Sequence, residues 1–283
     1  MKSLTFSLIC FALVFSSTIL SGQVITLSKS LDTVTKSSVA IMGLDSAGKF
    51  ILIGSGVIIN PNVVLTAGHV NFKTLKQVYG NNCSETGYIS IGNNCFKPDK
   101  RIAFNWIRSV ETYPDLVNKG VYDYPEDFTH IADIGLIFLD QPVLNITPIN
   151  LPDSNSLGRI KKDDLLLGAG YGITKTLSSY IKDSVQKAIR LADGNRRFWK
   201  PHEISVINEL WFKTSCDPLT NRPYLGLCNS GSPLLLNNTI LIGIWDNGGS
   251  TCPTFMSGTR IDNPKILKWI KEYIKMRIES LLK

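Results

Sequence analysis

The apolar residues of this chain occur in short runs separated by glycine, proline, asparagine and aspartate. Most runs are four to six residues long and rich in β-branched side chains. Runs of this kind, bounded by turn-forming residues, are typical of strands in a β-barrel or β-sandwich. We therefore predict a mostly β protein, with one helical segment at residues 178–191. The clearest strand candidates are residues 39–42, 50–53, 56–59, 63–65, 134–139, 165–167, 233–236 and 240–244.

The end of the chain has a different pattern. Asn263 and Pro264 form a suitable cap and first turn for a helix. Apolar residues then recur at steps of three and four, with lysines between them, which predicts an amphipathic helix over residues 263–283. Its apolar face should dock on the β structure; a basic helix that binds a membrane surface or calmodulin is the alternative. The recurring residues are Ile266, Trp269, Ile270, Tyr273, Ile274, Ile278 and Leu281.

The start of the chain predicts export. Lys2 provides a positive charge, residues 4–15 are apolar, and small residues near Ser21 and Gly22 offer a cleavage point. The apolar run is too short for a membrane span, so residues 1–22 are predicted to be a signal peptide, with an uncleaved anchor as the alternative. We expect a secreted protein, or a periplasmic one if the cell is bacterial, with no stable membrane insertion.

Composition and charge narrow the functional class. Hydrophobic residues make up 43% and charged residues 19% of the 283 residues, as in a folded globular protein. Without Lys2 the chain has 29 Lys and Arg against 23 Asp and Glu, a net charge of +6. No nucleic-acid motif accompanies this excess, so we interpret it as solvated surface and expect no nucleic-acid partner.

Export predicts that the cysteines form disulfide bonds, because an oxidising compartment favours them. Cys83 and Cys95 could close a local loop, and we expect residues 71–128 to form surface loops, stapled by that disulfide. Cys228 could pair with Cys252 or with Cys216. Because Cys10 leaves with the signal peptide, an odd number remains and one thiol is left over on any scheme.

Three short segments carry candidate chemistry. They are residues 65–70 (LTAGHV), 132–136 (ADIGL) and 229–234 (NSGSPL). Taken singly, each has an ordinary structural interpretation, since a lone histidine is often structural and an aspartate before a strand is often a turn residue. Together they give the order His69, Asp133, Ser230, each beside an apolar strand. A serine hydroxyl needs an imidazole to take its proton, and a carboxylate can hold that imidazole in the right tautomer.

These segments resemble those of the chymotrypsin- and trypsin-like serine peptidases. The resemblance extends to residues 147–152 (TPINLP), 170–172 (GYG), 242–245 (IGIW) and 259–261 (TRI). Residues 229–233 (NSGSP) are similar to the nucleophile segment of glutamyl endopeptidases. The resemblance implies an all-β fold of two six-stranded antiparallel barrels with a C-terminal helix. The barrels would comprise residues 23–152 and 153–262, followed by the helix at 263–283.

The resemblance also implies residue roles. His69, Asp133 and Ser230 would form the catalytic triad, and Gly231 would allow the turn that exposes Ser230. The backbone N–H groups of Cys228 and Ser230 would form the oxyanion hole. No metal and no cofactor are expected. The substrate would be contacted by Tyr224, Trp245 and Met256. If the loop is two residues shorter than in the family, Gly226 takes the position otherwise assigned to Tyr224.

Four departures from the family pattern matter. Cys228 stands where the family has a glycine, so its Cβ could twist the oxyanion hole, or it matches an upstream cysteine and pairs with Cys252. Asn229 replaces an aspartate that binds a freed N-terminus, and no Ile-Val-Gly-Gly segment exists near the mature start. We expect Asn229 to orient the loop by side-chain hydrogen bonds instead. Ile244 occupies the place of a serine that hydrogen-bonds the triad aspartate, and the specificity pocket matches no known pattern.

The function predicted from these observations is that of a secreted, monomeric serine endopeptidase acting on proteins or peptides, without zymogen activation by N-terminal insertion. A catalytically inactive homologue that acts as a binding protein is the main alternative. A zinc enzyme using His69, His130 and His202 is a third possibility, but no HExxH or comparable spacing supports it.

Overall fold

The computed structural model describes residues 34, 36–114, 132–153, 160–172, 193–214, 228–236, 240–248 and 256–281. The predicted signal peptide and the predicted helix at 178–191 lie outside these residues. So do His130, Cys216, Tyr224, Gly226 and Cys252.

The N-terminal half forms an antiparallel sheet of seven strands in the order β5-β4-β1-β2-β3-β7-β6. The predicted β unit is confirmed, but it is not a closed six-stranded barrel, because β5 and β6 lie at opposite edges of the described sheet. The strands are β1 (Ser38–Leu44), β2 (Phe50–Asn60), β3 (Val63–Thr66), β4 (Thr86–Ile91), β5 (Lys100–Asn105), β6 (Val110–Thr112) and β7 (Gly135–Phe138).

The C-terminal half forms a closed barrel in the order β10-β13-β12-β11-β8-β9, with antiparallel pairing throughout. This confirms the predicted six-stranded barrel. Closure leaves no unpaired strand edge, which suits the short apolar runs seen in the sequence. The strands are β8 (Leu165–Gly170), β9 (Arg197–Ile207), β10 (Trp211–Thr214), β11 (Pro233–Leu236), β12 (Ile240–Gly248) and β13 (Met256–Arg260).

The region after residue 71 differs from its prediction. Helix α1 (Phe72–Tyr79) and strands β4, β5 and β6 occupy much of it, and Leu75, Ile89 and Phe104 are buried in the core. The prediction of surface loops is therefore wrong for the described residues up to 114. Burial of apolar side chains at alternate strand positions, such as Ile102 and Phe104 on β5, holds these strands in the sheet.

Helix α2 (Pro264–Leu281) confirms the predicted C-terminal helix and its docking. Ile266 and Ile270 are fully buried, and the Trp269 ring packs edge-on against Tyr113 at 5.4 Å. These residues belong to one hydrophobic core with the strands of the N-terminal sheet. None of the helices in the described part of the chain is long and apolar enough to cross a membrane.

The cysteine predictions are wrong where the structure tests them. Cys83, Cys95 and Cys228 are all buried free thiols. The Cys83 thiol donates to the Gly80 carbonyl at 3.1 Å and belongs to the main core, whereas Cys95 lies in a separate buried cluster with Cys228. Burial raises the pKa of Cys95 to about 12. Neither the Cys83–Cys95 bridge nor a bridge from Cys228 is formed.

Candidate active site

His69 and Asp133 meet because their strands are neighbours. His69 follows the end of β3 and Asp133 precedes β7, and these strands pair with Thr66 opposite Gly135. The imidazole Nδ1 lies 2.6 Å from Asp133 Oδ2, and the His69 backbone N–H donates to Asp133 Oδ1 at 2.9 Å. An ionised carboxylate only accepts, so Nδ1 carries the proton and Nε2 remains the basic nitrogen.

The segment after His69 fixes its backbone. The Thr74 hydroxyl donates to the His69 carbonyl, and Asn71 Nδ2 donates to the Gly68 carbonyl at 2.8 Å. Asn71 Oδ1 also accepts from the Thr74 N–H at 3.0 Å, which caps helix α1. The histidine is therefore held between the end of a strand and the first turn of a helix.

The protonation of His69 reflects opposing effects. Burial disfavours the imidazolium, while the charge of Asp133, its hydrogen bond and the more distant Asp246 favour it. The carboxylates prevail and raise the pKa of His69 above 6.5. A base of this kind readily holds a proton taken from a neighbouring hydroxyl.

Ser230 lies in a tight turn before β11. Gly231 in this turn has φ 89°, and a Cβ there would overlap the Ser55 carbonyl oxygen, so only glycine fits. The Ser55 N–H donates to the Ser230 carbonyl at 2.8 Å, and its hydroxyl donates to the Cys228 carbonyl at 3.0 Å. Ser55, on β2, thus attaches this turn to the N-terminal sheet; the sequence analysis did not identify it.

Cys228 adopts a backbone conformation that favours glycine. Its φ is 70°, and its thiol is buried and donates to the Leu52 carbonyl at 3.3 Å. Burial, with a smaller effect of Cys95, raises the pKa of this thiol. The sequence offered two alternatives, a Cβ in a glycine position or a disulfide cysteine, and the structure corresponds to the first.

Asn229 connects the same turn to the segment that follows β8. It is buried, and its Oδ1 accepts from the Gly172 N–H at 2.9 Å. A Cβ at position 172 would overlap the Asn229 side chain, so this contact needs a glycine. The Asn229 side chain thus forms a hydrogen bond of the predicted kind, and its role in orienting the loop stays a prediction.

A second acidic residue, missed in the sequence analysis, lies beside the site. The Ser230 hydroxyl donates to the Asp246 carbonyl at 3.4 Å. The Asp246 carboxylate accepts from the hydroxyls of Ser257 and Thr259 at 2.6 and 2.7 Å, and Thr259 Oγ1 accepts from the Asp133 N–H at 3.1 Å. Burial and the charge of Asp133 raise the pKa of Asp246 to about 6.

The expected neighbour of Asp133 was placed two residues too early. Ile244 is fully buried in the core, so it does not stand for the family serine. The pairing of β12 with β13 shifts between Trp245 and Asn247, which brings Asp246 towards Ser257 and Thr259. Such a bulge re-aims side chains and has no clear sequence signature. An aspartate that directly follows the apolar residues of β12 was the available signal.

The three residues predicted to contact the substrate differ in what the structure shows of them. Trp245 is only 1% exposed and packs inside the C-terminal barrel, so its ring cannot contact a substrate and that prediction is wrong. Its backbone instead holds the turn: the Trp245 carbonyl accepts from the Gly231 N–H at 2.7 Å, and the Trp245 N–H donates to the Ser232 carbonyl at 2.9 Å. Met256 begins β13, and Tyr224 lies outside the described residues.

No group of three or more metal-binding side chains exists among the residues that the structure describes. His69 is engaged with Asp133, His202 lies on β9, and His130 lies outside the described residues. His69 Nδ1 and Asp133 Oδ2 form a hydrogen-bonded acid–base pair.

Known structures share this architecture. Neuropsin, a serine protease expressed in the limbic system of mouse brain, is 18% identical over 85% of this chain and 95% of its own, with a TM-score of 0.58. HL collagenase is 14% identical over 85% and 94%, also with a TM-score of 0.58. An inactivated protease paralogue of the scabies mite is 16% identical over 86% and 96%, with the same TM-score.

At these identities the likeness concerns the fold, and it confirms the predicted chymotrypsin-like architecture. A search of curated proteins gave no match. The narrower resemblance of residues 229–233 to glutamyl endopeptidases stays a prediction. The family model for trypsin matches residues 34–270, and with the His69–Asp133 pair and the Ser230 turn in place, the chain belongs to the trypsin family.

Proposed function

We propose that this protein is an exported serine endopeptidase that cleaves proteins or peptides with His69, Asp133 and Ser230. The observation that carries the proposal is the 2.6 Å contact between His69 Nδ1 and Asp133 Oδ2. It leaves Nε2 as the base for a serine hydroxyl. Asp246 links the two halves of the site, because its carbonyl accepts from Ser230 and its carboxylate reaches Asp133 through Thr259.

The proposed reaction is acyl transfer. Ser230 Oγ attacks the carbonyl carbon of the scissile peptide while His69 takes the hydroxyl proton, which it then gives to the leaving amine. Water repeats the sequence on the acyl-enzyme and regenerates Ser230. Asp133 holds the imidazole and stabilises its protonated form throughout.

The proposed oxyanion hole consists of the backbone N–H groups of Cys228 and Ser230. Among the described residues neither group has a hydrogen-bond acceptor, whereas the neighbouring N–H groups of Gly231 and Ser232 are both bonded. Two donors on one tight turn, neither bonded to a described residue, can face a developing negative charge, and each is typically worth about 3 kcal/mol of transition-state stabilisation.

Activity is proposed to need signal removal alone. Asn229 is neutral and already bonded to Gly172, so a new N-terminal ammonium would find no carboxylate at that position. The proposed domains are a signal peptide at 1–22, an N-terminal β unit at 23–152, a C-terminal β unit at 153–262 and a helix at 263–283. The mature protein is proposed to act as a secreted monomer.

An inactive homologue is the second candidate, and Cys228 favours it. A side chain at a φ of 70° costs about 1 kcal/mol, and relaxing that strain would rotate the adjacent peptide and its N–H. A binding protein that has lost the oxyanion hole would keep the His69–Asp133 contact.

A fluorophosphonate probe tests the proposal on the secreted chain. We expect mass spectrometry to place the label on Ser230, and Ser230→Ala to abolish it. Ser232→Ala is the matched control, because this neighbouring hydroxyl is fully buried, and it should label like the parent protein. His69→Ala should slow labelling by about a thousandfold or more.

Two results would oppose the proposal. A folded protein that never labels, and in which Cys228→Gly restores labelling, is an inactive homologue disabled at the oxyanion hole. A manyfold rise in activity after cleavage between residues 23 and 41 would mean that the enzyme does need N-terminal processing.

A further inference from the structure

Asp246 is held by hydrogen bonds from three residues. Its carboxylate oxygens accept from Ser257 and Thr259, one oxygen each, at 2.6 and 2.7 Å. Its carbonyl accepts from the Ser230 hydroxyl at 3.4 Å. The Thr259 hydroxyl that donates to Asp246 also accepts from the Asp133 N–H at 3.1 Å. A hydrogen-bonded chain therefore runs from Asp133 through Thr259 to Asp246.

The charges around Asp246 come from two other segments. Asp133, before β7, repels its ionised form, and His69, after β3, attracts it. From β13 it meets the hydroxyls of Ser257 and Thr259, which favour the carboxylate. In return, Asp246 favours the charged form of His69. Two carboxylates thus act on one imidazole.

We propose that Asp246 is a positioning residue of this site: its ionised carboxylate holds the backbone of Asp133 through Thr259 and adds a second negative charge that stabilises protonated His69. The inference rests on the proposed function, in which His69 accepts the proton of Ser230. A protonated imidazole together with the two carboxylates gives the group one net negative charge.

The stabilisation of protonated His69 by Asp246 should depend on pH. Burial and repulsion by the charge of Asp133 raise the pKa of Asp246 to about 6. Below this pH the second charge is lost while Asp133 still bonds His69, so imidazolium stabilisation weakens in acid.

The direct test is the titration of the His69 ring by NMR in the intact mature protein. Asp246→Asn removes the charge at nearly constant size, and we expect the pKa of His69 to fall by about one unit, a tenfold change in its protonation equilibrium. Asp246→Glu keeps the charge and should stay within about half a unit of the parent protein. Asp163→Asn removes an exposed carboxylate elsewhere and should leave the titration unchanged.

A second neutral variant keeps the test decisive if Asp246→Asn does not fold. Asp246→Ser removes the charge with a smaller polar side chain and should lower the pKa of His69 by a similar amount. If both neutral variants fold and titrate at the parent value, the proposal is overturned.

Kinetics supply an independent readout. In Asp246→Asn we expect the acid limb of kcat/KM to move to lower pH with the pKa of His69, because a less basic imidazole loses its proton earlier. Turnover should fall about tenfold or more, with KM nearly unchanged. The NMR result does not need activity, so absence of labelling at Ser230 would defeat the proposed function while leaving this inference open to its own test.

Discussion

The turn that holds Ser230 combines two residues with positive φ. Gly231 at 89° and Cys228 at 70° lie three positions apart, and together they turn the chain sharply around Ser230. At Gly231 the absence of a Cβ serves two purposes. It permits the φ, and it lets the turn lie directly against the Ser55 carbonyl.

Replacing Gly231 by alanine should be severe, because the new Cβ would overlap backbone that cannot move independently of β2. We expect a loss of about 3 kcal/mol or more in the free energy of unfolding, measured with urea. Gly48→Ala is the matched control: φ there is 74°, but nothing lies within 4 Å of a Cβ. It should cost about 1 kcal/mol. Equal losses in the two variants would mean that contact with Ser55 does not matter.

At the residue scale, the sequence predicted the parts of the site that lie at strand ends. His69 and Asp133 were identifiable because their motifs flank apolar runs. Asp246 was missed because the bulge in β12 changes which residue faces Asp133, and sequence spacing assumes a regular strand. Free Cys83 and Cys95 were not predictable either, since pairing depends on where the folded chain places two thiols.

Helix α1 is the element most directly coupled to the proposed base. It begins three residues after His69, and Asn71 contacts both the helix and the segment before His69: its Oδ1 caps the helix and its Nδ2 donates to the Gly68 carbonyl. The sequence analysis missed this helix and the strands β4 to β6. Each of these elements spans only 3 to 8 residues, too few to show a period within a Gly- and Asn-rich stretch.

Asn71→Ala should remove both contacts. Loss of an N-cap typically costs about 1 kcal/mol, and we also expect slower labelling of Ser230, because the peptide before His69 loses its anchor. Asn71→Asp is the informative companion, since it keeps the capping oxygen and loses only the donor to Gly68. Its stability, measured with urea, should stay near that of the parent, with labelling still slowed. Normal labelling in both variants would show that the anchor does not affect His69.

At the scale of the whole molecule, helix α2 packs against the N-terminal half of the chain. It follows the C-terminal barrel, yet Trp269 packs against Tyr113 of the N-terminal half, and Arg277 donates to the Arg108 carbonyl at 3.0 Å. The main core also joins Ile244 and Ile261 to the N-terminal sheet. The sequence predicted two β units and a docked helix. The periodicity of the helix does not show which other segment its apolar face packs against.

Trp269→Ala tests how much this packing stabilises the molecule. The ring is 8% exposed and contacts Tyr113 and Tyr273, with centroid distances of 5.4 and 5.0 Å. We expect a loss of about 3 to 5 kcal/mol in urea unfolding. Ile278→Ala on the same helix is the control, because that side chain is 39% exposed, and it should cost less than about 1 kcal/mol. Similar small losses for both would mean that α2 is only loosely attached.

The bonds from Ser55 and Leu52 to the Ser230 turn have a consequence for how the protein is made. They span 173 and 176 positions along the chain, so the turn gains these supports only after both halves exist and have come together. A nascent chain that has emerged only in part, or a fragment from one half, lacks them. Under the proposed function, an incomplete chain lacks the supports of its nucleophile turn, which limits self-digestion during synthesis.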